Sequence, residues 1–378
     1  MDFQKLTAFL DTLPGLGIPG GECIVQAGYE TVYRHRVGYA DREKQIPLAG
    51  KERFFLYSCS KLITCTAAMQ LFEKGAFLLT DPLYEYLPEY RHMTVRTARG
   101  NGEERLRPAG NPITVGDLFA MTAGFDYDLT APEIAAVQEK TEGRAPTREV
   151  VRALAARPLC YEPGERWQYS LGHDVLGGLI EVISGRPFGQ YLQNEIFDPL
   201  EMSGSGFPTR PGIMEGMMAQ YRRNEETGEA VRIPLENEYI FGTEYESGGA
   251  GLISCVDDYA RFAAALANGG TGANGARILG RHTIDLMREN RLSQRQRMDF
   301  DWVRFRGYGY GLGVRTMVDR AEGGAPSPKG EFGWAGAGGA YVLIDPANSL
   351  SMFYAQHMRK NLEEYVHPRL RNILYACL

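Results

Sequence analysis

The chain has 378 residues, 44% hydrophobic and 23% charged, with 17 Phe, 21 Tyr and 3 Trp. That content excludes a disordered chain and supplies a large core, enough for about two domains at ~100–200 residues each. Lys+Arg 41 against Asp+Glu 47 leaves a formal charge of -6, which gives no electrostatic drive toward nucleic acid or an anionic membrane.

The start, Met1-Asp2-Phe3-Gln4-Lys5, lacks a basic segment followed by an apolar one, so no signal peptide is expected. Phe3, Leu6, Phe9 and Leu10 recur at helical spacing before Pro14-Gly15 and predict a first helix over 3–12. The β-rich runs 22–26 and 31–37 around Gly28-Tyr29-Glu30 predict a hairpin. From Ser58 to Lys74 the spacing predicts a helix that is apolar almost all round, hence central and buried, closed by Gly75.

Residues 81–240 change character, with helical segments predicted at 114–121, 147–156, 172–184 and 188–195 between Pro/Gly-rich connections. Strands are predicted again at 308–318, 331–337, 340–345 and 349–355, the last two joined by Asp345-Pro346-Ala347-Asn348, and a helix over 361–376 ends the chain. The expectation is an α+β fold. An antiparallel sheet flanked by helices forms from 1–80 and 241–378, a mostly helical domain, 81–240, is inserted, and the site lies in the cleft between them.

The six cysteines contain no C-x-x-C, the six histidines are scattered and no H-E-x-x-H occurs. Reduced thiols, no metal, no cofactor and a cytoplasmic setting are expected. No run approaches ~18 apolar residues, so no helical membrane span is expected.

Ser58-Cys59-Ser60-Lys61 is the one S-x-x-K of the chain. Ser58 opens the buried helix, and at i and i+3 its hydroxyl shares a face with the Lys61 ammonium. A lysine in the first helical turn faces the positive end of the helix dipole, and desolvation adds to that; both lower its pKa. An amine that deprotonates readily beside a hydroxyl activates a serine without histidine. The same residues also fit an N-cap serine with a lysine reaching for solvent. Tyr169, in Tyr169-Ser170-Leu171 ahead of a helix, is a candidate to accept or relay the serine proton, or a core tyrosine. Glu331-Phe332-Gly333-Trp334-Ala335-Gly336-Ala337-Gly338-Gly339 is poor in side chains yet flanked by strand signals. It reads either as a strand edge approached closely by another backbone or a ligand, or as a hairpin with a flexible turn.

Together these segments resemble the serine β-lactamase/penicillin-binding-protein superfamily, and more specifically its esterase branch, the family VIII carboxylesterases. The resemblance spans nearly the whole chain. It includes Phe54 to Asp81, Ile113-Thr114-Val115 through Phe125, Tyr161-Glu162-Pro163-Gly164 leading to Tyr169 and Gly177, Ser247-Gly248-Gly249-Ala250-Gly251-Leu252, and Trp334-Ala335-Gly336. Lactam-directed members usually carry Tyr-x-Asn and Lys-Thr-Gly or His-x-Gly. Here Leu171 replaces the Asn and Trp334-Ala335 the Lys/His-Thr pair, which points to neutral esters over anionic lactams.

What the resemblance implies is a serine hydrolase for a small-molecule ester or amide. Ser58 is its nucleophile, with Lys61 and Tyr169 taking the proton jointly. The backbone N–H groups of Ser58 and Ala337 hold the oxyanion, and Tyr57, Leu171, Trp334, Ala335 and Gly336 contact substrate. The alternatives are a β-lactamase or D-Ala-D-Ala carboxypeptidase, an acyltransferase using the same acyl-enzyme, and a non-enzymatic scaffold relative. His173-Asp174 is excluded as part of a Ser-His-Asp triad, because neighbours on a helix do not face each other and no G-x-S-x-G exists. The arginines at 288, 291, 295, 297, 304 and 306 are expected on a solvated or pocket-rim surface.

Overall fold

The computed structural model describes residues 1–98 and 104–378. In chain order the elements that build the site are α1 (Gln4–Asp11), β1 (Gly20–Ala27), β2 (Glu30–Asp41), β3 (Ile46–Pro47), α2 (Ser60–Glu73), α3 (Val115–Ala120), α4 (Gly172–Ser184) and α5 (Val256–Ala267). They continue with β4 (Tyr308–Tyr310), β5 (Arg315–Met317), β6 (Phe332–Ala335), β7 (Tyr341–Asp345), β8 (Leu350–Gln356) and α6 (Glu363–Ala376). The strands form one sheet in the order β4-β5-β6-β7-β8-β1-β2-β3, antiparallel throughout. At its centre β1 lies against β8, with Ile24 opposite Phe353. The two ends of the chain therefore share one sheet, as expected for an α+β fold.

Side chains alternate between the sheet's faces with the two-residue period of a strand. Cys23, Val25, Leu343 and Met352 pack with Leu6 and Leu10 of α1 and Leu370 and Leu374 of α6. Ile24, Val342, Ile344 and Phe353 pack on the other face with Phe262 and Leu266 of α5 and with α2. Both faces are covered, which is why β8 is buried along its whole length. Each fully buried side chain of this kind contributes roughly 1.5–3 kcal/mol.

The second of these cores continues without a break into Leu118 and Phe119 of α3 and Val175, Leu176 and Leu179 of α4. Helix α2, buried from Ser60 to Leu71, is the shared axis on which sheet and helical segment both pack. The end of the segment expected as the insertion returns to the sheet side. Gln220–Arg223 pairs antiparallel with Ala230–Ile233 and parallel with Met358–Arg359.

Two expectations need correction. The single strand predicted over 308–318 is two, β4 and β5, because the chain turns at Gly313 (φ +81°), where a Cβ would lie 2.2 Å from the Cys65 Sγ. Helix α5 was not anticipated. It starts directly from the strand Ile253–Cys255, has no side-chain cap at Cys255 and is buried almost all round, so neither a turn residue nor an amphipathic stripe announces it.

Candidate active site

The site is built where a strained turn feeds α2. The strand Arg53–Phe55 pairs with Ile253–Cys255, and the Leu56 N–H donates to the Leu252 carbonyl at 2.8 Å. Tyr57 then takes a left-handed φ of +47°, a conformation costly for a residue with a Cβ. Its surroundings hold it there. The ring is fully buried, its hydroxyl donates to Gln220 Oε1 at 3.2 Å, and the Arg359 guanidinium lies 4.9 Å from the ring centre. A single turn of tight helix, Tyr57–Cys59, carries Ser58. Ser60 accepts the Leu252 N–H at 3.1 Å, and the Cys59 carbonyl accepts the Tyr259 hydroxyl at 2.8 Å. These neighbours of Ser58 pin the turn.

Lys61 is fully buried rather than reaching for solvent. Its Nζ lies 3.5 Å from Ser58 Oγ, and it donates to the Gly249 carbonyl at 2.8 Å and the Tyr127 hydroxyl at 3.2 Å. It also stands 4.5 Å from the centre of the Tyr169 ring. Burial pulls its pKa down to about 8, while the Asp174 carboxylate works in the opposite direction. An amine in this state has an appreciable neutral fraction near pH 7–8 and can take a proton.

Tyr169 is stacked between Tyr127 at 5.4 Å and Trp334 at 5.7 Å, and its hydroxyl accepts the Trp334 Nε1–H at 3.1 Å. Burial raises its pKa strongly, with the Ser58 hydroxyl and the Trp334 indole acting against that rise. The phenol is therefore held in its protonated, donating form.

The Gly-rich segment at the end of β6 has the close backbone approach that its composition implied. A Cβ on Gly336 would lie 2.3 Å from the Leu56 carbonyl, and one on Gly338 3.0 Å from the Tyr57 ring. The turn after β6 closes through Gly336 N–H to the Ala340 carbonyl at 2.8 Å. The Ala337 N–H has no protein acceptor among the described residues. The structure thus brings Ser58, Lys61, Tyr169 and Trp334 together and sets Ala335-Gly336-Ala337 against Leu56–Tyr57. Leu171 is different: it is packed into the main core at the N-terminal end of α4.

His173 and Asp174 do point to different places. The His173 ring lies 3.2 Å from the Phe119 carbonyl and 3.6 Å from Cys65 Sγ, and burial lowers its pKa to about 3. Asp174 Oδ1 accepts from Ser247 Oγ at 2.6 Å, Tyr245 hydroxyl at 2.9 Å and Gly249 N–H at 3.4 Å. Of the arginine run, Arg288, Arg295 and Arg297 pair with Asp285, Glu165 and Glu322. Arg304 instead lies 4.8 Å from the Trp302 ring and pairs with Glu363 at 3.2 Å. Trp302, half-buried, meets Tyr169 edge-on at 5.4 Å. No local pattern links Tyr127 or Trp302 to Ser58, and the sequence offers Gly249 only within the Ser247–Leu252 segment and Asp174 only beside His173. No group of three or more potential metal ligands occurs among the described residues, and none of the helices among them is long and apolar enough to cross a membrane.

Ser58 on the turn that feeds α2, beside an antiparallel sheet and with Lys61 and Tyr169 close to it, is the geometry against which the comparisons are set. The family model described as Beta-lactamase matches residues 6–375, so the chain belongs to that family. It is 30% identical to Protein Rv1367c of Mycobacterium tuberculosis over 85% of this chain and 81% of that one. It is 29% identical to Esterase EstB of Burkholderia gladioli over 93% and 90%. Simvastatin Synthase (LovD) from Aspergillus terreus superposes with a TM-score of 0.82 at 24% identity, covering 100% of this chain and 98% of that one. At that identity the likeness speaks for the fold.

Proposed function

We propose that this β-lactamase-family serine hydrolase is a carboxylesterase for small neutral esters, working through an acyl-enzyme on Ser58. The observation that carries the reading is the fully buried Lys61 amine, 3.5 Å from Ser58 Oγ and with its pKa lowered to about 8. Lys61 and Tyr169 jointly take the Ser58 proton, the amine as acceptor and the protonated phenol as relay. Ser58 Oγ attacks the ester carbonyl, and the N–H groups of Ser58 and Ala337 hold the resulting oxyanion. The alkoxide leaves with a proton delivered through Tyr169, and water then hydrolyses the acyl-enzyme. Trp334, Ala335 and Gly336 border the substrate in this scheme; Tyr57, fully buried, holds the turn that carries Ser58, and Leu171 seats the start of α4. The enzyme's setting in this reading is the cytoplasm, where its six unpaired cysteines stay as thiols.

The preference for neutral esters rests on Trp334. Its indole N–H is committed to the Tyr169 hydroxyl, so this position offers neither a cation nor a free donor to the carboxylate of a β-lactam or a D-Ala terminus. Acyl transfer is the second reading, favoured by the aromatic surroundings of the site, which limit water. The test is a panel of p-nitrophenyl esters plus nitrocefin on wild type and Ser58→Ala, with and without added alcohol. Ester turnover that vanishes in Ser58→Ala is expected. Comparable nitrocefin turnover would replace the esterase reading with a lactamase one, and ester product outrunning hydrolysis would replace it with an acyltransferase.

A further inference from the structure

Asp174 is a buried carboxylate with no part in the scheme above, and its two oxygens are treated differently. Oδ1 receives a donor from each of Ser247, Tyr245 and Gly249. Burial pushes the Asp174 pKa up, and the Lys61 charge with the donors from Ser247, Tyr245 and Gly249 acts against that rise, favouring the ionised carboxylate. Oδ2 is buried and has no hydrogen-bond partner. A buried anionic oxygen left in that state is expensive unless a cation compensates it.

The geometry supplies that cation. A Cβ placed on Gly249 would lie 2.4 Å from Asp174 Oδ2 and 3.3 Å from Lys61 Nζ. The charged ends of the two residues thus face each other across the space that Gly249 leaves empty, while the Gly249 carbonyl accepts from Lys61 at 2.8 Å and its N–H turns to Asp174. One glycine ties both ends together through its own peptide groups.

We propose that Asp174 is the counter-charge of Lys61: a positioning residue that seats the amine through Gly249 and sets the pH at which it becomes the base for Ser58. It acts through Lys61 without touching substrate, and its effect on turnover rests on the Ser58 acyl-enzyme reading. The other titratable groups facing Lys61 do not carry a competing charge. From α2 and the turn before it come Cys59 and Cys65, both buried thiols pushed well above their usual pKa. From the helical segment come Tyr127 and Tyr169, raised by burial, and His173, held neutral. Tyr245, beside Asp174, is raised as well. Asp174 is the one carboxylate acting on the amine.

The sign of the effect follows. A nearby anion favours the ammonium form, so removing it lets desolvation drive the Lys61 pKa lower still. Asp174→Asn is expected to move the acid limb of the kcat/KM profile to lower pH by about one unit or more. A rate that falls with the limb unmoved would overturn the proposal, because a merely structural residue behaves that way. A thermal cycle tests the same pairing without any turnover. Asp174→Asn should lower Tm in the wild-type background, yet raise it in Lys61→Met, where the carboxylate has lost its cation. Equal lowering in both backgrounds would overturn the counter-charge role. If the single Asp174 variant fails to fold, Lys61→Met and Lys61→Met/Asp174→Asn still decide it. Loss of the esterase reading would appear separately, as ester turnover that survives Ser58→Ala.

Discussion

The floor and the wall of this site are built on opposite principles. The floor is polar and sealed: Lys61, His173, Asp174 and Ser247 are all at most 2% exposed, and each is fixed by hydrogen bonds drawn from several segments. The wall is aromatic: Tyr169, Trp334, Trp302, Trp167, Phe300 and Tyr310 pack on one another, mostly edge-on or tilted, at centroid distances of 4.8–6.4 Å. A sealed polar cluster has one workable arrangement, because every unpaired group in it is costly. An aromatic wall is held by area and shape, which tolerate substitution. On the proposed mechanism the floor, with Ser58 and the Tyr169 hydroxyl above it, governs whether chemistry happens, and the rest of the wall governs on what.

The harshest test of this division is removal of Ser58, the proposed nucleophile. Ser58→Ala is expected to cut kcat by about three or more orders of magnitude for every ester in a p-nitrophenyl series, with Tm little changed. Lys61→Ala and Tyr169→Phe should each be severely impaired, by about 10²–10⁴-fold. Either combined with Ser58→Ala should add almost nothing if the three groups form the one proton relay proposed above. Losses that multiply in the double variants would mean that they act independently.

The difference between floor and wall also explains what could be read from the sequence. Ser58 and Lys61 are legible because their relation is local: three residues apart on a helix places them on one face whatever the rest of the chain does. Tyr169 and the Trp334-Ala335-Gly336 segment are legible only as ordered motifs. The other partners of Lys61 are not legible, since Tyr127 and the Gly249 carbonyl stand 66 and 188 residues away along the chain. Asp174 is legible only as the neighbour of His173, because its partners Tyr245 and Ser247 lie 71 and 73 residues along the chain. Most of the sheet was legible through its alternating apolar runs, but the break at Gly313 was not, because it answers to Cys65 on α2. Trp302 lies within the arginine run 288–306, where no local pattern marks the indole.

Acid tests the floor in a second way. The folded state holds His173 at about 3, against about 6.5 in an unfolded chain. Folding with a depressed pKa gives a stability that is complete above the unfolded value and is lost as pH falls through the window down to the folded one. Between pH 7 and pH 5, wild type should lose about 2 kcal/mol relative to His173→Gln, read as the difference between their urea midpoints. A constant difference between the two proteins would mean that His173 is not held neutral by the floor.

The mildest effect belongs to the wall, and it is the one that separates the two regions most cleanly. Trp302 meets Tyr169 edge-on and is backed by Arg304, which is itself tied to Glu363 of α6. Of the three indoles it is the one with appreciable exposure, Trp167 and Trp334 being buried, and its contact with Tyr169 makes it the indole proposed to border the substrate beside Ser58. Trp302→Ala leaves Ser58, Lys61 and Tyr169 in place and removes bulk from that border. Its expected signature is a change in selectivity: the ratio of kcat/KM for p-nitrophenyl octanoate to that for the acetate should rise about tenfold, since each methylene accommodated contributes roughly 0.8 kcal/mol at most. Arg304→Met, which frees the indole without removing it, should shift the ratio in the same direction by less. A uniform loss across the ester series would assign Trp302 to the floor's function instead, and the division between reactivity below and selection above would fail.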